Sequence, residues 1–219
     1  MYKTFTQLKS ATFAMIASAS LLVAGTAIAG PKDGKVVPGK PGKDNIVETA
    51  EAVGEMMLDT QGVPEFTYLL EAVACLDGEE LETVVGILAG KKKHTLFAPV
   101  NDAFRALQGV LGVPAEDQAP EVTCAVDDIL GAGTLFTVLA YHVTDGQRFA
   151  NRVFNKNNTR EISMLAAGSI WATPEMTLID GFPQTVNVAI PNVRASNGVI
   201  HAIDAVLLPF NPFEEEEEE

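Results

Sequence analysis

The segment SNGVIHAIDAVLLP, residues 196–209, places His201 and Asp204 three apart in an otherwise apolar run. On a helix such residues share a face; on a strand they point to opposite faces. Val199 to Leu208 is dominated by Val, Ile and Leu and follows an Asn197-Gly198 turn, which favours a strand. The two side chains then leave opposite sides of a sheet and form no acid–base pair. A half-buried Asp204 calls for backbone donors or a remote partner, because an unpaired buried charge is costly. Asp204 is therefore a candidate interior anchor, and His201 is not a candidate catalyst.

Upstream of this strand the pattern has the same short period. Ile162–Leu165, Ser169–Thr173, Thr177–Ile179 and Val186–Ile190 are short and β-favouring, separated by turns such as Ala167-Gly168 and Asp180-Gly181. The first half is helical in character instead. Asn45 can cap a helix running through Met57, with Ile46, Val47, Ala50, Val53 and Met57 on one face. Phe66, Leu69, Leu70 and Val73 repeat that spacing, as do Leu81, Val84, Val85 and Leu88. Asn101 is placed to cap a further helix with Asp102 in its first turn, and Thr134 to Ala140 predicts another. Helices first and antiparallel-looking strands later mean an α+β fold. With no internal repeat, residues 45–209 read as one domain.

The ends differ from this centre. Lys3 and Lys9 precede an uncharged run from Ala11 to Ala24, and Ala27-Ile28-Ala29 stands directly before Gly30. That pattern is a secretory signal peptide at 1–29; an N-terminal anchor is the alternative, disfavoured by a run rich in Ala, Ser and Thr. Residues 30–44 are Gly-, Pro- and Lys-rich and read as a flexible linker. Residues 210–219, with the run Glu214–Glu219, read as an acidic disordered tail. The expected location is secreted, extracellular or periplasmic, with no membrane insertion of the mature chain. Export also decides how Cys75 and Cys124 read: one disulfide is the economical reading, two free buried thiols the alternative.

Without Lys3 and Lys9, the chain's 15 basic residues fall to 13 against 29 acidic ones, a net charge of −16. Nucleic acid and anionic membrane surfaces are poor partners for such a chain. The sequence has no G-x-S-x-G, G-x-x-x-x-G-K-[ST], G-x-G-x-x-G or H-E-x-x-H motif. Its three histidines, His94, His142 and His201, are the one set to weigh as a zinc site with an open fourth position. They lack any short ligand spacing, so the expectation is no metal, no cofactor and no catalytic residue.

Two segments carry a specific resemblance. His94-Thr95-Leu96-Phe97-Ala98-Pro99-Val100-Asn101-Asp102-Ala103-Phe104 resembles the first signature of the fasciclin (FAS1) domain family, of the form T-hydrophobic-F-A-P-T-[ND]-x-A-F. Asn197 to Pro209 resembles the second, and Leu139-Ala140-Tyr141-His142-Val143 resembles the Tyr-His motif between them. Asn45 to Ala50 resembles the family's usual start. Val100 departs from the pattern, removing a Thr hydroxyl that would help cap the next helix. The 70–94 region and the stretch around Cys124 look extended, and a Cys75–Cys124 bridge would pin them together. No Arg-Gly-Asp is present, so integrin binding is not implied.

The resemblance implies a wedge-shaped β-sandwich flanked by helices and a role in cell adhesion or matrix or biofilm attachment. It implies structural duty for Thr95, Phe97, Pro99, Asn101, Asp102, Phe104, Tyr141, His142, Asn197, Gly198, His201 and Asp204. Tyr141 is expected in the core and His142 hydrogen-bonded inside the fold, to Asp204 or Asn101. The expected partner is a surface or matrix protein, a polysaccharide or a second copy, met through Phe149, Phe154, Trp171, Phe210 or Phe213. The alternatives are a self-assembling matrix protein and an exported metal-dependent hydrolase using the three histidines. Asn157-Asn158-Thr159 is a glycosylation sequon of consequence only in a eukaryotic secretory pathway.

Overall fold

The structure is a computed structural model describing residues 43–114, 117–182 and 184–211. The expected signal peptide, most of the linker and residues 212–219 of the tail lie outside the described residues.

Helix α1 (Ile46–Met56) opens with a capping box. Asn45 Oδ1 accepts from Glu48 N–H at 3.1 Å, while Asn45 N–H donates to Glu48 Oε2 at 2.8 Å. Such a cap stabilises by about 1 kcal/mol. Ile46, Ala50 and Val53 form its buried face. Helices α2 (Thr67–Ala74) and α3 (Gly78–Leu88) follow where the apolar spacing predicts them. Cys75 ends α2 and is disulfide-bonded to Cys124, which lies in the short 3-10 helix Pro120–Ala125 rather than in an irregular loop.

The first signature differs from expectation in one respect. His94–Pro99 is a strand, β1, with all six residues buried. Helix α4 (Asn101–Val110) then starts from Val100, which makes no side-chain cap bond. Asn101 therefore does not cap α4; its amide is drawn away to α2 and the loop before it. Helices α5 (Val126–Leu130) and α6 (Thr134–Tyr141) lead to β2 (Val143–Asp145), α7 (Ala150–Val153), β3 (Arg160–Ser163), β4 (Ser169–Ala172) and β5 (Thr177–Ile179). The chain closes with β6 (Thr185–Ala195) and β7 (Gly198–Ile203).

Among the described residues seven strands form one sheet in the order β2-β1-β7-β6-β5-β4-β3. Its pairs are antiparallel except β1 with β7, which run parallel from His94↔Gly198 to Pro99↔Ile203. The helices between β1 and β7 allow that long crossover, and the mixed sheet keeps the fold α+β. Strand β6 serves two partners: Thr185–Asn187 pairs with β5, while Val188–Ala195 pairs with β7 through two register shifts. Shifts of this kind bend a strand. The two edge strands consequently meet. Thr144 Oγ1 on β2 donates to Ser163 O on β3 at 2.7 Å, and Leu165 N–H donates to Val143 O at 2.8 Å.

The folded sheet separates two apolar clusters. Leu96 and Ala98 of β1, with Ile200 and Ala202 of β7, pack against the helices. Phe97 and Ile203, from the same strands, pack inside the sheet with Ile162, Ile170, Leu178 and Val186. Strands buried on both faces need apolar residues at nearly every position, which is why the two signatures read as continuous apolar runs.

Candidate binding surface

The signature residues form joints inside the fold. Thr95 Oγ1 donates to Gly146 O at 2.7 Å and accepts from Arg148 N–H at 2.8 Å, fastening the loop after β2 to β1. Asn197 holds three elements together: Oδ1 accepts from Ile46 N–H at 2.9 Å, and Nδ2 donates to Leu88 O and Gly90 O, both at 2.7 Å. At Gly198 a Cβ would lie 2.3 Å from His94 O, so no larger residue fits there. Pro99 ends β1 over a small apolar cavity that Phe104 and His142 also line.

Behind α4 lies a polar hub. Asn101 Oδ1 accepts from Tyr68 N–H at 3.3 Å, and Nδ2 donates to Asp59 Oδ2 at 2.9 Å and Pro64 O at 2.8 Å. The Arg105 guanidinium, 7% exposed, donates to Asp59, Asp102 and Tyr68 OH, with its charge 4.9 Å from the Tyr68 ring centroid. Burial alone would raise the Asp59 pKa. Hydrogen bonds from Arg105, Asn101 and the Val63 and Gln61 N–H groups outweigh it and hold the carboxyl down to about 2. Asp59 and Arg105 carry no signal in the sequence reading beyond Arg105 standing three residues after Asp102.

The histidines do not converge. His142 Nδ1 donates to Val138 O at 2.7 Å and Nε2 accepts from Leu207 N–H at 2.9 Å, so both ring nitrogens are used and the ring is neutral. Its partners are these backbone groups, not Asp204 or Asn101. Burial pushes its pKa down to about 4. His201 stacks on Phe97 at 5.5 Å, donates through Nε2 to Arg148 O at 2.9 Å and accepts at Nδ1 from Asn192 N–H at 3.3 Å. His94 is buried, with Nδ1 3.3 Å from Asp145 Oδ1. Among the described residues the one grouping at ligating distance is Glu71, Cys75 and Cys124, whose sulfurs are consumed by the disulfide. The hydrolase arrangement therefore lacks its metal site.

Asp204 corrects the opening expectation. The strand ends at Ile203, and Asp204 lies exposed just beyond it. It still accepts backbone and side-chain bonds, from Asn187 N–H at 2.7 Å and Nδ2 at 2.8 Å. The interior anchor is Asp180 instead, 2% exposed. It accepts from Leu208 N–H at 2.8 Å, Phe182 N–H at 3.1 Å, and Gln184 Nε2 at 2.7 Å. Sequence reading assigns Asp180 only to a turn. Tyr141 is buried as expected and donates to Ser169 O at 2.7 Å; burial, then the Asp180 charge, pushes its pKa up to about 12.

The aromatic candidates separate clearly. Phe154 is buried among the sheet interior, and Phe149 is half-buried under the Arg194 guanidinium at 4.8 Å. Phe213 lies outside the described residues. Trp171 and Phe210 are exposed. Trp171 stands 41% exposed on β4, in a cross-strand row with Glu161 and Ile179, and Thr185 pairs with Ile179 beyond. Ile170, Ala172 and Leu178 point inward, so Ser169, Trp171, Thr177, Ile179, Thr185 and Asn187 share the outer face. Met176, at the β4–β5 turn, adds a second exposed apolar side chain held at φ 65°.

A family model for the fasciclin domain matches residues 65–209. Protein sll1483 of Synechocystis sp. is 32% identical over 148 residues, which cover 68% of this chain and 69% of that protein. Among solved structures, a FAS1 domain pair from the insect cell adhesion molecule fasciclin I aligns with a TM-score of 0.43 and 16% identity. It covers 64% of this chain, and this chain spans 43% of it.

Proposed function

Because the chain belongs to the fasciclin domain family, whose domains serve adhesion-type roles, we propose that it is an exported adhesion module that binds rather than catalyses. It attaches a cell or matrix by holding a surface protein or polysaccharide, and it uses no cofactor or metal. In this reading residues 1–29 direct export, 30–44 are a spacer, 45–209 form the adhesive domain and 210–219 stay solvated. The family match begins at residue 65; packing supports counting α1 in the domain, since Ile46 is fully buried and its Cδ1 fills the space a Gly198 side chain would need.

The observation that carries the reading is Trp171. A large apolar ring standing open between Glu161 and Ile179, on a face that also carries Ser169, Thr177 and Thr185, offers a flat stacking surface with hydroxyl groups on the same face. The test is a glycan and surface-protein array probed with the wild-type chain and with Trp171→Ala. The expected result is a defined set of ligands whose binding falls at least about tenfold in the variant, with an unchanged circular dichroism spectrum. Equal binding by both chains removes Trp171 from the surface, and no binding by wild type sinks the adhesive reading.

A further inference from the structure

The charges of this acidic chain are unevenly placed. At the β6–β7 hairpin end, Ser196 N–H donates to Asp44 O, next to Lys43, while the Lys93 ammonium donates to Ser196 O. Lys91, Lys92 and Lys93 are all exposed there. Gly146 N–H binds Lys93 O, which brings Arg148 to the same end, its Nε donating to Asp145 O at 3.1 Å. In the segments that meet here the carboxylates are Asp44, Glu48 and Asp145. Glu48 is engaged in the α1 capping box and Asp145 is paired with Lys92 at 2.8 Å. The surplus is cationic, in a chain of net charge −14.

The other end of β6 carries the exit of the chain. A Cβ on Gly181 would meet Pro209 O at 2.3 Å, so Pro209 lies against the turn before β6, and Leu208 is fixed to Asp180. The sequence then continues past Asn211 to Glu214–Glu219. Strand β6, Thr185–Ala195, runs between the two ends, bent by its two register shifts. The Glu214–Glu219 run is the strongest anionic complement this chain offers to that cationic end, and a second copy carries the same run.

We propose that the end formed by Lys43, Lys91, Lys92, Lys93 and Arg148 receives the Glu214–Glu219 run of a second copy. The contact is heterologous, head to tail, so each copy offers one acceptor end and one donor run, and association grows with concentration. The net charge opposes association over long distances. At about 0.1 M salt, however, the Debye length is about 10 Å, so the local opposite charges dominate over the whole-molecule repulsion.

Sedimentation velocity of the purified full chain tests this. At about 0.1 M salt the weight-average mass should at least double as protein concentration rises. It should return to the monomer at about 1 M salt, where screening reaches about 3 Å. A triple Lys→Gln variant at 91–93 and a Glu→Gln variant at 214–219 should each stay monomeric with unchanged melting temperatures. Mixed in equal amounts they should form dimers and nothing larger, since one keeps only the donor run and the other only the acceptor end. A wild-type monomer at about 0.1 M overturns the proposal, as does a glutamine-tailed variant that assembles like wild type. Retention of a monomeric wild type on an anionic polysaccharide column would assign the cationic end to that partner and overturn it too.

Discussion

The signature segments and the outer face of the β3–β5 meander use their polar residues in opposite ways. In the signatures, Thr95, Asn101, Asn197, His142 and His201 are buried and spend their hydrogen-bonding capacity on backbone groups of other elements. On the meander, Ser169 and Thr177 share the outward face with an exposed Trp171, whose cross-strand neighbours are Glu161 and Ile179. The first region holds the fold together, so changes there cost stability. The second is free to vary at little structural cost, which is where a binding surface can specialise.

The largest effect should come from the hub behind α4. Asp59→Ala leaves the Arg105 charge nearly buried without its main partner, and Arg105→Ala does the same to Asp59, whose side chain is fully buried. Each should cost about 3–5 kcal/mol by chemical denaturation. The double variant should cost clearly less than the sum, and additive losses would show that the two charges do not act together. Next comes the bridge: replacing Cys75 and Cys124 by Ser frees a loop spanning a separation of 49 residues. About 2–4 kcal/mol should be lost, read from the urea midpoint.

Acid should dismantle the interior in two steps. Burial depresses the His142 pKa to about 4 from 6.5, so its contribution is complete above 6.5 and is lost as pH falls toward about 4. The Asp59 carboxyl, held down to about 2 from 3.8, contributes above 3.8 and is lost as pH falls toward about 2. Each step is on the order of 2–3 kcal/mol. Burial also depresses His201 and His94, so His142→Gln should shrink the upper step without removing it, leaving the lower step intact. Melting temperatures across that pH range decide the matter. The smallest stability effect belongs to the meander: Trp171→Ala should shift stability by less than about 0.5 kcal/mol while removing binding. A large loss of stability would erase the distinction between the two regions.

The sequence made the α+β class, the helix spacings and the meander legible, because periodicity and turn residues are local properties. It hid β1, whose apolar run inside a helical stretch looks like any buried segment, and it hid the parallel pairing of β1 with β7. It also exchanged the roles of two aspartates. Asp204 stands in an apolar run yet leaves the sheet one residue past the strand end, while Asp180, beside a glycine, turns inward. Only the fold brings Leu208 and Gln184 within reach of Asp180. Asp59 was invisible for the same reason: its partners Asn101 and Arg105 lie across a helix and a loop.

Strand β7 is the last of the described strands yet sits inside the sheet, between β1 and β6. The pairing of Thr95 with Val199 cannot form until nearly the whole domain has been synthesised. Such non-local closure slows folding, and until it happens β1 and β6 each present an unpaired edge. The same delay makes any product truncated before Gly198 a sheet with two raw edges, and its expected fate is aggregation.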